Sequence, residues 1–237
     1  MIYTQVVEGV FIERTNRFIA QVRIDGLVET VHVKNTGRCK ELFIPGAIVY
    51  LEKSQNPNRK TKYSLISIYK EARLINIDSQ VPNQVVYEAL LAHSIEEIEP
   101  ITLIKREVTF GHSRFDIYYE TAHQKGFIEV KGVTLENNGI ALFPDAPTSR
   151  GSKHLQGLID GLELGYTNYI FFLIQMDSID TFTPNSVTDP TFARLLLDAK
   201  KRGITPLIYN SIVTQNSIFV GTKGTFNVPG FCEAKLF

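Results

Sequence analysis

The sequence predicts two domains: an all-β barrel over residues 1–80, and an α/β domain over 81–220 with a mixed sheet flanked by helices; residues 221–237 stay unassigned. Three observations lead there. Residues 1–80 hold five short alternating runs separated by Gly-rich or polar turns. Beyond residue 80, apolar runs at helical spacing alternate with runs of strand length. The charge also divides: 25 basic and 25 acidic residues cancel over the 237-residue chain, yet residues 1–80 carry +4 and the remainder −4. Such asymmetry fits a basic binding module beside an acidic, metal-attracting one.

The five runs are VVEGVFIERT, RFIAQVRID, VETVHVKN, IVYLEK and YSLISIYK. With the turn segment ELFIPG feeding the fourth run, they suit a five-stranded barrel of the oligonucleotide-binding (OB) type. Its polar connections carry Arg38, Lys40, Arg59, Lys60 and Lys62, and the same region spreads Phe18, Phe43, Tyr50, Tyr63 and Tyr69. Cations for phosphates and rings for base stacking are what a DNA-binding barrel needs. The same residues also read as core rings and a solvated rim.

Asn83 is expected to cap a first helix through VVYEALLAHSIEEI, with Glu88 on its flank. Strands follow near 102–110, 114–119 and 126–133, with a shorter one at IALF. Ser152 is expected to cap a second helix, KHLQGLIDGLEL, which Gly165 stops. NYIFFLIQ reads as a buried strand, and ITPLIY as another. Between them DPTFARLLLDAKKRG has a helix signature at both ends, with Asp189 as cap, Pro190 in the first turn and Gly203 after the last.

The chain opens without a basic, apolar leader, and no apolar run approaches the ~20 residues of a membrane span. A cytoplasmic protein with no membrane partner is expected. Cys39 and Cys232 are too few and too separated for a disulfide framework or zinc site, and Cys39, although flanked by Arg38 and Lys40, reads as a plain thiol.

The stretch RFDIYYETAHQKGFIEVKG sets charged groups among core-building residues. Side chains alternate along a strand, so Glu129 and Lys131 are neighbours on one face. If the flanking strands pair, Asp116 shares that face. Two carboxylates with an ammonium would supply the parts of a phosphodiester-cleaving site: Asp116, Glu129 and the carbonyl of Val130 as ligands to Mg²⁺ or Mn²⁺, and Lys131 on water or phosphate. Glu88 is a candidate further ligand, and Gln156 or Lys153 a candidate contact to metal-bound water or phosphate. The competing reading is an ordinary Glu129–Lys131 salt bridge. In FPDAPTSRGSKHL, Arg150 and Lys153 stand at the start of a helix, where backbone amides favour anions.

The blocks NTGRCKELFIPG, RKTKYSLISI, IDSQVPNQVV, SRFDIY, IEVKGVTL and FPDAPTSRGSKHL, taken in order, resemble the signature blocks of the sugar fermentation stimulation protein family. The resemblance continues through DPTFARLLLDAKKRGI and covers nearly all but the tail. It implies an OB-like barrel joined to a restriction-endonuclease-like domain similar to the PD-(D/E)xK nucleases, with Asp116, Glu129 and Lys131 matching that triad. It further implies DNA binding and a link to regulation of sugar utilisation. A non-enzymatic DNA-binding regulator, and a small-molecule or nucleotide sensor using the Arg150 loop, are the alternative functions.

Overall fold

The computed structural model describes residues 1–35 and 37–228. The first five strands are β1 (Val6–Asn16), β2 (Ile19–Ile24), β3 (Leu27–Val33), β4 (Ile48–Lys53) and β5 (Tyr63–Lys70), and β6 (Arg73–Asn76) follows as a short hairpin partner of β5. Their order is β3-β2-β1-β4-β5-β6. A parallel pairing of His32 with Ser64 and Val33 with Leu65 closes β3 onto β5, so the five expected strands form a closed OB barrel. Closure removes the exposed edges an open sheet would present. Phe11, Val22, Val31, Val33, Leu51, Leu65 and Ile68 fill its interior.

The second domain places α1 (Pro82–Leu91) before an antiparallel meander of β7 (Leu103–Phe110), β8 (Ser113–Glu120) and β9 (Lys125–Val133). After β10 (Leu135–Asn137) and β11 (Ile140–Phe143) come α2 (Ser149–Leu162), β12 (Tyr169–Ile174), β13 (Thr181–Pro184), α3 (Pro190–Arg202), β14 (Thr205–Val213), β15 (Ile218–Lys223) and β16 (Thr225–Phe226). The main sheet has the order β15-β14-β12-β9-β8-β7 and is mixed, because β12 runs parallel to both β9 and β14 while the outer pairs are antiparallel. All six residues of β12 are buried, as a strand covered on both faces requires. On one face Val85, Val86, Ala89 and Leu90 of α1 pack on Ile117, Ile128, Val130 and Phe171. On the other, Leu155 and Leu158 of α2 and Phe192 and Leu196 of α3 pack on Phe127, Ile170 and Phe172.

Several details differ from the sequence expectations. The first helix begins at Pro82 with Val81 as its cap and no capping side chain, so Asn83 lies inside the first turn. It also ends at Leu91, because His93 turns left-handed (φ 53°) and the amide of Ser94 closes back on the carbonyl of Ala89. Thr148, not Ser152, caps the second helix by accepting from the amide of Gly151 at 3.0 Å. Thr148 wins because a cap side chain bonds an amide two or three residues on, and the helix starts at Ser149, six residues before Leu155 opens its apolar stripe. A four-stranded sheet, β10-β11-β13-β16, was not foreseen, and β16 gives structure to part of 221–237. Residues 229–237, including Cys232, lie outside the described residues.

Polar contacts join the domains. Gln175 Nε2 of the second domain donates to Asn76 O, Asn76 Oδ1 and Asp78 O of the first at 3.0–3.2 Å, and Asp78 is itself held within the first domain by Lys34 Nζ at 2.9 Å. Among the described residues no helix is long and apolar enough to cross a membrane.

Candidate metal centre and nucleic-acid interface

β8 and β9 pair from Glu120–Lys125 to Ile117–Ile128, and Asp116 is the first residue past that ladder. There the strands part. Phe115 joins the α2 face and Ile117 the α1 face, which breaks the two-residue alternation at Asp116. The Asp116 carboxylate fills the gap: Oδ2 accepts from the amide of Val130 at 2.8 Å, and Oδ1 accepts from Asn83 Nδ2 at 2.6 Å. Asn83 therefore orients an acidic side chain instead of capping its helix. Because N–H and C=O of one strand residue point the same way, the carbonyl of Val130 faces Asp116 too.

Glu129 projects toward α2 and is almost completely buried. Its Oε1 accepts from both Lys131 Nζ and His154 Nδ1. Its Oε2, equally buried, has no hydrogen-bond partner among the described residues. A buried carboxylate oxygen without a partner costs free energy, on the order of 1–3 kcal/mol or more, so it calls for an explanation. The other side of His154 is occupied as well, since Arg150 Nε donates to His154 Nε2 at 3.5 Å. A carboxylate oxygen can only accept, so Nδ1 carries the proton directed at Glu129, and the guanidinium, which can only donate, faces Nε2 as acceptor.

The two carboxylates titrate apart. Burial, and then the charge of Glu129, push the Asp116 carboxyl up to about 6, against the opposing effect of the Val130 amide, Lys131 and Asn83. Burial pushes Glu129 up as well, but the donors His154 and Lys131 outweigh it and hold Glu129 below the ordinary carboxylate range.

The expected triad Asp116, Glu129 and Lys131 thus converges, and Lys131 sits on the Glu129 carboxylate. Glu88 is not brought to it: its Oε2 receives the Met1 ammonium at 2.5 Å and its Oε1 receives Gln84 Nε2 at 2.7 Å. Among the described residues no three His, Cys, Asp or Glu side chains form a metal-binding group. The donors that remain are two carboxylates and a backbone carbonyl, which suit Mg²⁺ or Mn²⁺, cations that keep waters and take one or two protein carboxylates. Glu129 Oε2 is the oxygen such an ion would satisfy.

The basic candidates divide by place. Arg150 and Lys153 are exposed on the first turns of α2 beside the triad, and Gln156 is exposed and bonded to Asp160. Arg38 and Lys40 are exposed and line a groove of about 470 Å³ on the barrel with Arg14, Arg17, Phe43 and Pro45. Arg14 is the builder of that groove, donating to the carbonyls of Arg17, Asn35, Gly37 and Arg38 at 2.7–2.9 Å while lying over the Phe43 ring. The amide of Arg38 reaches Asp145 Oδ2 at 3.2 Å, so the groove loop is docked against the loop before α2. Lys60 is exposed, Arg59 half-buried, and Lys62 pairs with Glu29 at 3.6 Å. Of the five rings, only Phe18 is exposed; Tyr50 is buried, and Phe43, Tyr63 and Tyr69 pack against the cores.

Sequence reasoning did not assign Asn83, His154, Arg14 or Arg17 these places. His154 left a signal, because Gly151, His154, Leu155, Leu158 and Ile159 are the buried stripe of α2 and a histidine in such a stripe needs polar partners.

Comparison with known proteins agrees with this architecture. The SfsA N-terminal OB domain matches residues 12–77, and the Sugar fermentation stimulation protein RE domain matches residues 80–217. A sugar fermentation stimulation protein homolog of Alkaliphilus oremlandii is 52% identical over 228 residues, 94% of this chain and 97% of the relative. One from Clostridium beijerinckii is 53% identical over 218 residues, 92% and 96% of the two chains. Among solved structures, Pyrococcus furiosus SfsA in complex with Ca²⁺ superposes with a TM-score of 0.87 at 28% identity, covering 96% of this chain and 98% of that one.

Proposed function

The chain belongs to the sugar fermentation stimulation protein family, and from that premise we propose that it binds DNA with little sequence preference and hydrolyses phosphodiesters with Mg²⁺ or Mn²⁺. The observation that carries the proposal is the divided Glu129 carboxylate, one oxygen holding two donors and the other buried without any among the described residues. Asp116, Glu129 and the Val130 carbonyl would hold the cation, which when bound neutralises phosphoryl charge and makes water nucleophilic. Asn83 and the Val130 amide keep Asp116 in place for that role. Lys131, largely buried at the mouth of the site, would hydrogen-bond the attacking water or a phosphate oxygen. Arg150 and Lys153 would fix the DNA backbone beside the triad, and Arg17, Arg38 and Lys40 would extend the contact along the barrel. Acting on the cell's own DNA would put the protein in the cytoplasm and would give the family's link to sugar utilisation a physical route.

The test is cleavage of a labelled DNA duplex by the full-length protein with Mg²⁺ or Mn²⁺, against the same protein carrying Lys131→Ala. Wild-type cleavage that chelation stops and Lys131→Ala loses is the expected result. DNA binding without cleavage above the variant in either metal would remove the hydrolase and leave a non-enzymatic DNA-binding regulator.

A further inference from the structure

Resting on that metal-dependent reading, we propose that His154 is a positioning residue that serves two ligands at once. Through Nδ1–H it occupies Glu129 Oε1 and leaves Oε2 for a divalent cation, and through Nε2 it holds the Arg150 guanidinium at the mouth of the site for a DNA phosphate. Oε1 already has the Lys131 ammonium as a donor, so a second donor on the same oxygen saturates it and fixes the plane of the carboxylate. Glu129 is then presented by a single oxygen. His154 sits one helical turn from Arg150 on α2, a spacing that lets one buried ring touch the strand below and the exposed cation above. Its ring packs edge-on against Phe115, 6.2 Å between centroids, which restricts its rotation. With Nε engaged by the ring, both terminal nitrogens of Arg150 remain for a bidentate phosphate contact. The cation side and the phosphate side of the site thus share one imidazole.

Two replacements separate its halves. His154→Asn puts an amide donor where Nδ1–H is now, without the acceptor at Nε2; the longer side chain of His154→Gln reaches too far to do the same. Mn²⁺ alone is titrated calorimetrically into full-length wild type, His154→Asn and His154→Gln, with circular dichroism of each. His154→Asn is expected to keep Mn²⁺ affinity within about threefold and His154→Gln to lose about tenfold or more, the usual cost of removing a partner of a metal ligand. In a second arm, a DNA duplex in chelator is bound by wild type and His154→Asn, each with and without Arg150→Ala. Arg150→Ala should weaken binding about tenfold or more in the wild type, a loss typical of one charged hydrogen bond, and less than about twofold in His154→Asn. Wild-type-like Mn²⁺ binding by both variants, or a folded His154→Asn as weak as His154→Gln, would overturn the inference alone. Equal Arg150→Ala losses in both backgrounds would also overturn it. A wild type that binds no Mn²⁺ would sink the metal reading and the inference together.

Discussion

Asp116 and Glu129 are adjacent carboxylates whose surroundings treat them differently, and this gives the metal-free protein a distinct pH dependence. A carboxyl raised from 3.8 to about 6 binds its proton more tightly folded than unfolded. Its destabilising effect is therefore absent below pH 3.8, grows as pH rises and is complete above about 6. At roughly 1.4 kcal/mol for each tenfold change in proton affinity, the cost at neutral pH is at most about 3 kcal/mol. Metal-free Asp116→Asn should accordingly be more stable than wild type at pH 7, with the gain fading to nothing near pH 4, as read by denaturant unfolding across that range. A constant difference would mean that Asp116 carries no such penalty. Cys39 offers a second check at this scale. Burial pushes its thiol up to about 12 despite the neighbouring Arg14, so it should resist alkylation at pH 8 in the native protein and react once unfolded, as seen by peptide mass spectrometry.

Asp189 ties two helices together, because Oδ1 accepts from the amide of Phe192 in α3 at 2.9 Å and Oδ2 from the amide of Thr148, the cap residue of α2, at 2.8 Å. Asp189→Ala should cost about 2 kcal/mol in denaturant unfolding, at the upper end for a lost cap, and Thr148→Ala about 1 kcal/mol; equal small losses would show that the helices are not coupled through this carboxylate. Gly132, directly after Lys131, marks another close approach: a Cβ there would stand 2.2 Å from Gln175 Oε1 and 2.8 Å from the ring of Pro82. The α3 element was legible in the sequence because its cap, first-turn proline and terminal glycine are all local signals, and the structure uses each of them. The barrel strands were legible because each is a run of at least six residues rich in β-branched and aromatic side chains, bounded by Gly-rich or polar turns. Of strands β10, β11, β13 and β16 only β11, the IALF run, was expected; all four have four residues or fewer, and two of their three pairings are parallel contacts between distant segments, so no local pattern announces the sheet they form. Asn83 misled for a related reason. It has the chemistry of a cap, and only the tertiary placement of Asp116 shows that its amide is engaged elsewhere.

Across the whole molecule, the barrel groove and the triad belong to one body, since Arg38 docks on Asp145 and Gln175 spans from the second domain to Asn76 and Asp78. Charge separation between the halves, visible in the sequence, shows on the barrel as a cationic path through Arg14, Arg17, Arg38 and Lys40, whose loop docks on Asp145. If phosphate contacts along that path dominate, replacing Arg17, Arg38 and Lys40 together by Ala should weaken binding to unrelated duplexes alike and flatten the plot of log affinity against log salt by about 2 to 3, near 0.9 per phosphate contact. An unchanged slope would move the interface elsewhere. Asp116 and Glu129 are proposed to hold a divalent cation, and calorimetric titration of Mn²⁺ into the metal-free protein decides whether they do. Saturable binding by the wild type, an unfolding midpoint that rises with Mn²⁺, and loss of both in Asp116→Asn and Glu129→Gln while Lys131→Ala keeps them are the expected results. No binding by any of the four proteins, with Glu129→Gln and Lys131→Ala merely destabilised, would contradict that proposal and reduce the pair to a salt bridge.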